Sequence, residues 1–286
     1  MVAQALREKG VACEIVTVKT TGDRILDRPL ADAGGKGLFT KELEEALNSG
    51  AIDLAVHSMK DVPTALPDGL TIAAILPRED PSDVFIARRA HNLSDLPPGA
   101  RVGTSSVRRK AQVLRVRPDL ECVPLRGNVD TRLAKLESGE TDAILLAMAG
   151  LKRLGLAGRV TAIMDIDEWL PSLAQGAVGI EIRADDARTA ASIAALNDEA
   201  AAIELACERA FQGALDGSCR TPIAGLARLE GGRLSFRGEV IAPDGSDFAA
   251  TDFEILLGAD LEQDAARAGR AAGEALRPRA GRWLAP

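Results

Sequence analysis

The chain contains no tyrosine, two tryptophans and six phenylalanines in 286 residues. Single-stranded nucleic acid is held on stacked aromatic rings, so that class of partner is poorly supplied. A net charge of −7, from 35 basic and 42 acidic residues, argues equally against general nucleic-acid affinity. Histidine is scarcer still, at two residues, and the four cysteines include no Cys-x-x-Cys spacing. Neither a thiolate metal site nor a disulfide framework is therefore expected. No apolar run approaches the roughly 20 residues that span a bilayer, and the N-terminus does not resemble a signal peptide. These absences predict a reduced, soluble, cytoplasmic protein without membrane, nucleic-acid or metal partners.

A chain of this length exceeds the usual size of one core, so two or three domains are expected. Up to about residue 190 short apolar runs alternate with amphipathic helices, which predicts parallel sheets covered on both faces. Strands are expected at Val11–Val18, Ala51–Val56, Val84–Ala87, Arg101–Ser106, Glu121–Leu125, Asp142–Ala147 and Gln175–Ile182. Helices are expected at Gly37–Ser49, from about Val107, and at Asn128–Ser138. Crossings near residues 78–84 and 170–178 would join two lobes through a hinge, with a cleft between them. The predicted first lobe is residues 1–77 plus 176–194, and the second is 82–170. A small α+β domain, 195–286, follows, with helices at Asp198–Leu215 and Leu261–Leu276 around a hairpin turning at Gly231-Gly232.

Cys219 stands out among the thiols. Cys13 and Cys122 lie in apolar runs and Cys207 in an alanine-rich helical pattern, whereas Cys219 sits in Leu215-Asp-Gly-Ser-Cys-Arg-Thr-Pro-Ile223. That loop is punctuated by glycine and proline, so the sulfur is either presented to a ligand or simply buried and inert.

Three further groups could carry chemistry. His57-Ser-Met-Lys-Asp-Val-Pro63 follows a buried strand at its carboxyl end, the edge where open α/β sheets bind ligands. A turn there would bring Lys60 and Asp61 to the same side; a solvated turn with an incidental charge pair is the alternative, and His57 is equally readable as a structural histidine. Thr104-Ser-Ser-Val-Arg-Arg109 places hydroxyls and guanidiniums at a strand-to-helix junction suited to anions. Arg126 in Leu125-Arg-Gly-Asn128, then Arg132, Lys152 and Arg153, extend the basic set to the ends of three successive strands. With no phosphate-loop spacing present, and Gly34-Gly-Lys-Gly37 unlike a dinucleotide fingerprint, a small polycarboxylate is the favoured anion.

Taken together, these segments resemble the porphobilinogen deaminase family over nearly the whole chain. The carrying motifs are Gly34-Gly-Lys-Gly-Leu-Phe39 with Lys41-Glu-Leu43, His57 to Pro63, Gly103 to Arg109, and Leu125-Arg-Gly-Asn128. Gly150-Leu-Lys-Arg-Leu-Gly155, Gln175 to Glu181 and Ser218-Cys-Arg-Thr-Pro-Ile223 complete them. The resemblance implies an α/β fold of two periplasmic-binding-protein-like lobes and a small C-terminal α+β domain. It implies a dipyrromethane cofactor held by Cys219 through a thioether, and stepwise deaminating condensation of four porphobilinogen molecules into hydroxymethylbilane. Asp61 matches the catalytic aspartate. Arg108, Arg109, Arg126, Arg132 and Arg153 match carboxylate-binding arginines; Lys36, Ser58, Lys60, Thr104, Ser105, Ser106, Gly127 and Gln175 join them as binding residues, and Phe39 as a cleft aromatic. A monomer is implied, with its product passing to uroporphyrinogen-III synthase.

The sequence departs from the family in three places. The family's opening strand, which carries a basic residue and a serine that contact the cofactor, has no counterpart before Met1-Val-Ala-Gln-Ala-Leu6, so Met1 is expected to be internal to a longer chain. Asp32 occupies a position often held by lysine, and Ser218 one often held by glycine. The rival class is a non-enzymatic anion-binding protein, which would need the arginines but neither Cys219 nor Asp61.

Overall fold

The computed structural model describes residues 1–21, 40–215 and 221–284. The predictions placed on Lys36, Phe39, Asp32, Ser218, Cys219 and the Gly34–Gly37 loop lie outside that set. In chain order the described elements begin with α1 (Val2–Glu8), α2 (Lys41–Asn48), β1 (Leu54–Ser58) and β2 (Leu70–Ile75). Next come β3 (Asp83–Ala87), β4 (Arg101–Gly103), α3 (Val107–Val116), β5 (Glu121–Val123), α4 (Val129–Glu137) and β6 (Ala143–Ala147). They continue through α5 (Met148–Arg153), β7 (Ala162–Ile163), β8 (Val178–Arg183), α6 (Ala187–Ile193) and α7 (Glu199–Ala214). The chain closes with β9 (Ile223–Glu230), β10 (Arg233–Ile241), β11 (Phe248–Leu256) and α8 (Leu261–Ala280).

The chain groups into two compact units, Met1–Arg78 with Ala177–Ile203, and Glu79–Gly176 with Glu204–Pro286. In the first, β8 lies between β1 and β2 and runs antiparallel to both. This corrects the expectation of a parallel sheet: β8 arrives only after the long excursion from Arg78 and enters the sheet in the opposite sense. Val178, Ile180 and Ile182 of β8 pack with Val2 and Leu6 of α1 and Ile193 of α6. On the other face Leu47 of α2 covers Ala55 and Leu70. Each fully buried side chain of this size contributes about 1.5–3 kcal/mol.

The run Val11–Val18 forms no strand. Its β-branched residues suit a pleated surface, but a strand requires a ladder partner, and none is present among the described residues. Ile15 and Val16 are 69% and 56% exposed accordingly.

The second unit contains a five-stranded sheet of order β5-β4-β6-β3-β7. Its β4 is parallel to β5 and β6, as expected, while β3 is antiparallel to β6 and β7. Two of its helices start where the sequence supplies caps. Ser106 accepts from Arg109 N–H at α3, and Asn128 accepts from Thr131 N–H at α4. The C-terminal α+β layer packs within the same compact unit. Arg115 on α3 pairs with Glu239 on β10 at 2.7 Å, and Pro171 C=O accepts from Gly225 N–H. Its sheet, β11-β10-β9, is wholly antiparallel and rests on Phe211 of α7, whose ring lies 4.8 Å from that of Phe236.

Candidate active site

Ser58, Lys60 and Asp61 stand together in the first unit. β1 ends at Ser58 and the chain turns through one 3-10 turn, Met59–Asp61. The turn is anchored to β8 from beneath. Met59 N–H donates to Ala177 C=O at 3.0 Å, and the Met59 side chain is 1% exposed. Gly179 makes room for it, since a Cβ there would lie 2.1 Å from Met59 Sδ. Asp61 is exposed and takes no hydrogen bond or ion pair among the described residues. Lys60 and Ser58 are half-buried on the same turn.

The hydroxyl and arginine set lies in the second unit, where β4 and β5 run out into their helices. Ser105 Oγ donates to Leu125 C=O at 3.0 Å and accepts from Leu125 N–H at 3.2 Å, locking the two loops together. Thr104 Oγ1 accepts from Ser106 N–H, and Ser106 Oγ is the α3 cap. These three hydroxyls, read from sequence as ligands, thus hold the loops in shape. Gly127 adopts a φ of +111°, and a Cβ would meet the Thr131 side chain at 2.6 Å. This backbone conformation, open to glycine, points Gly127 C=O at Arg132 Nε, 2.8 Å away.

Four of the five arginines fall into three kinds, and the fifth, Arg126, acts as a neighbouring charge on Arg132. Arg108 and Arg109 are 4% and 6% exposed and turn inward onto Asp83, which is wholly buried. Arg108 reaches Asp83 Oδ2 at 2.7 Å and Arg109 reaches Oδ1 at 2.7 Å. Trp169 Nε1 and Gln175 Nε2 donate to the same carboxylate at 2.9 and 2.8 Å. Arg108 and Arg109, expected to bind carboxylates, and Gln175, expected as a further binding residue, direct these donors to a carboxylate of the chain itself. Burial alone would raise the Asp83 pKa, but the two guanidinium charges and their hydrogen bonds hold it well below the usual carboxylate range.

Arg132 is the second kind. Only its Nε has a partner among the described residues, and burial together with the Arg109 and Arg126 charges pushes its pKa down to about 10. Three cations gathered in a half-buried place repel one another, and an anion placed there would relieve that repulsion. Arg153, the third kind, is exposed at the end of α5 without a partner among the described residues. No group of three His, Cys, Asp or Glu residues suited to a metal occurs among the described residues. The thiol of Cys207 is fully buried, and burial beside Glu208 raises its pKa far above the ordinary value. Burial also raises that of Cys122, against a smaller opposing pull from Lys110.

A sequence profile described as "Porphobilinogen deaminase, dipyromethane cofactor binding domain" matches residues 1–191, and one described as "Porphobilinogen deaminase, C-terminal domain" matches residues 202–277. The chain belongs to the porphobilinogen deaminase family. The porphobilinogen deaminase of Nitrobacter winogradskyi is 56% identical over 267 residues, covering 93% of this chain and 83% of that protein. That of Paracoccus denitrificans is 56% identical over 241 residues, covering 84% and 77%. Among solved structures, the VFT2 domain of Bordetella pertussis BvgS is 18% identical, covers 68% of this chain and 74% of that chain, and gives a TM-score of 0.40.

A porphobilinogen deaminase holds a group bearing several carboxylates, and the donor set on this chain fits one. Arg126 and Arg132 supply cationic N–H groups, and the like charges beside Arg132 would be offset by a bound anion. The Asp83 hub was not anticipated from sequence. Asp83 closes the turn Asp80-Pro-Ser-Asp83, where an acidic residue reads as solvated, and its partners lie at residues 108, 109, 169 and 175. The one local signal was the pair of adjacent arginines opening an otherwise amphipathic helix.

Proposed function

We propose that this chain is a hydroxymethylbilane synthase, which joins four porphobilinogen molecules with loss of ammonia on a covalent dipyrromethane and releases the linear tetrapyrrole by hydrolysis. The observation that carries this reading is 56% identity to a porphobilinogen deaminase across 93% of the chain. When bound through Cys219, the dipyrromethane supplies the electron-rich pyrrole carbon to which substrate is joined.

The residues of the chain divide the remaining work. Loss of ammonia from porphobilinogen leaves an electron-poor azafulvenium, and the Asp61 carboxylate, placed against the pyrrole N–H, stabilises that cation and takes up protons. Lys60 and Ser58, on the same turn, bind the carboxylates of the incoming ring. Each substrate brings an acetate and a propionate, so negative charge accumulates with every addition. Arg126, Arg132 and Arg153 neutralise it, with Lys36 and Phe39 as further contacts. Arg108, Arg109 and Gln175 support this set from within, through Asp83. The cytoplasm, a monomeric state and passage of product to uroporphyrinogen-III synthase belong to the same reading.

Intact mass of the purified chain, with peptide mapping, tests the proposal. The expected result is an added mass of two linked pyrrole units on the peptide containing Cys219, together with porphobilinogen consumption. An unmodified chain that binds porphobilinogen without consuming it would make this an anion-binding protein instead.

The seat of Met59 gives a second expectation. Gly179→Ala places a methyl where Met59 Sδ now packs, at a cost of about 1–3 kcal/mol for an overfilled core. The turn bearing Lys60 and Asp61 is displaced with it, so turnover should fall further than thermal stability does. Assays of the folded variant at substrate saturation check this.

A further inference from the structure

Two buried ionisable side chains of the first unit take no part in the chemistry above. His57 on β1 is 6% exposed, Glu181 on β8 is wholly buried, and His57 Nε2 lies 2.8 Å from Glu181 Oε2. In the ladder His57 stands opposite Gly179 and Glu181 opposite Ala55, so the contact runs diagonally across the strands. Glu181 Oε1 is buried with no donor among the described residues. An apolar pair would fill the same space without desolvating an imidazole and a carboxylate. Stability alone therefore does not account for the pair; what it adds is a directional tie between two strands.

The place of that tie is informative. His57 immediately precedes the last residue of β1, beyond which the chain turns directly to Asp61. Three alternate residues leading into and along β8 face this end of β1. Ala177 C=O holds Met59 N–H, Gly179 receives the Met59 side chain, and Glu181 holds His57. Backbone, apolar and polar contacts thus fix one short segment from one strand face.

We propose that the His57–Glu181 pair positions Asp61, making His57 and Glu181 positioning residues for the condensation. This rests on the reading of Asp61 as the catalytic carboxylate. The hydrogen bond limits sliding and twisting of the end of β1 against β8, and so sets where the turn presents its carboxylate. A displacement of about 1 Å in such a group costs on the order of 100-fold in rate.

The double variant H57L/E181M removes the tie without leaving a buried charge unpaired, so it should fold with equal or higher thermal stability. The expected result is a kcat lower by about 10- to 100-fold, with KM for porphobilinogen within about twofold. Amide exchange across residues 57–63 should be faster. E181Q, which retains an acceptor for the imidazole N–H, should restore most of kcat and slow exchange. E181D keeps the charge but shortens the arm, and should reproduce the loss even where the double variant folds poorly. Wild-type kcat and unchanged exchange in H57L/E181M or E181D would overturn the proposal and leave the pair as core filling. Absence of turnover in the wild-type chain would sink the assigned activity instead, while the exchange comparison would still decide the positioning role.

Discussion

Asp61→Asn is expected to lower porphobilinogen turnover by about 10²- to 10⁴-fold, the range for removing a positioned general acid or base. The substitution keeps size and shape but removes the charge that would face a developing cation. Asp61 is exposed and takes no hydrogen bond or ion pair among the described residues, so its loss breaks no stabilising contact among them. Thermal unfolding should therefore shift by no more than about 0.5 kcal/mol. A large loss of rate with unchanged folding is what separates a catalytic carboxylate from a structural one. Measuring turnover and melting on one preparation makes the distinction directly. Substantial turnover in folded Asp61→Asn would move the acid–base role to another group.

The opposite pattern is expected at Asp83. Asp83→Asn removes the counter-charge of two buried guanidiniums while the other donors of the hub stay in place. Breaking one side of a buried ion pair costs about 3–5 kcal/mol, measurable by denaturant unfolding near neutral pH. The pH dependence follows from the direction of the Asp83 shift. Its folded pKa lies well below the ordinary carboxylate value, so its contribution is complete above the unfolded value of about 4 and disappears as pH falls below it. While Asp83 stays ionised in the fold and protonates on unfolding, wild-type stability should fall by about 1.4 kcal/mol per pH unit from this group alone. Asp83→Asn should lack that component. Equal acid sensitivity in the two proteins would assign the loss to other carboxylates. Arg109 also adjoins Arg132 electrostatically, so Asp83→Asn should raise KM through a disturbed arginine set.

The strand-to-helix junctions were legible because their signals are local. A hydroxyl or amide before a helical run predicts a cap, and both Ser106 and Asn128 act as one. The hairpin across Gly231-Gly232 formed where the two alternating runs placed it. Other elements were not legible. Val11–Val18 has strand composition without a ladder partner among the described residues, and Leu70–Ile75 and Phe248–Leu256 are strands that no sequence expectation placed. Pairing is a long-range event, and composition reports only a residue's fitness for a pleated surface.

The arginines show the same division at the level of the site. Their number and their places after successive strands predicted an anion-binding function, but not which of them would be free to perform it. Arg108 and Arg109 are adjacent to one another and close to the hydroxyls, yet their partner is a carboxylate from β3. Arg132 has no such partner among the described residues and feels two neighbouring cations. Nothing in the spacing of these three distinguishes them.

The sequence by itself determined the capped strand-to-helix junctions, the C-terminal hairpin, the family and the residue types available for chemistry, since each depends on neighbours a few positions apart or on motifs read in order. The tertiary structure alone decided strand direction in the first sheet, the burial of Asp83 among its donors, the seat of Met59 on Gly179 and the His57–Glu181 contact. Those depend on burial and on distances between residues far apart in the chain, and the energy of a charge or hydrogen bond is set by both.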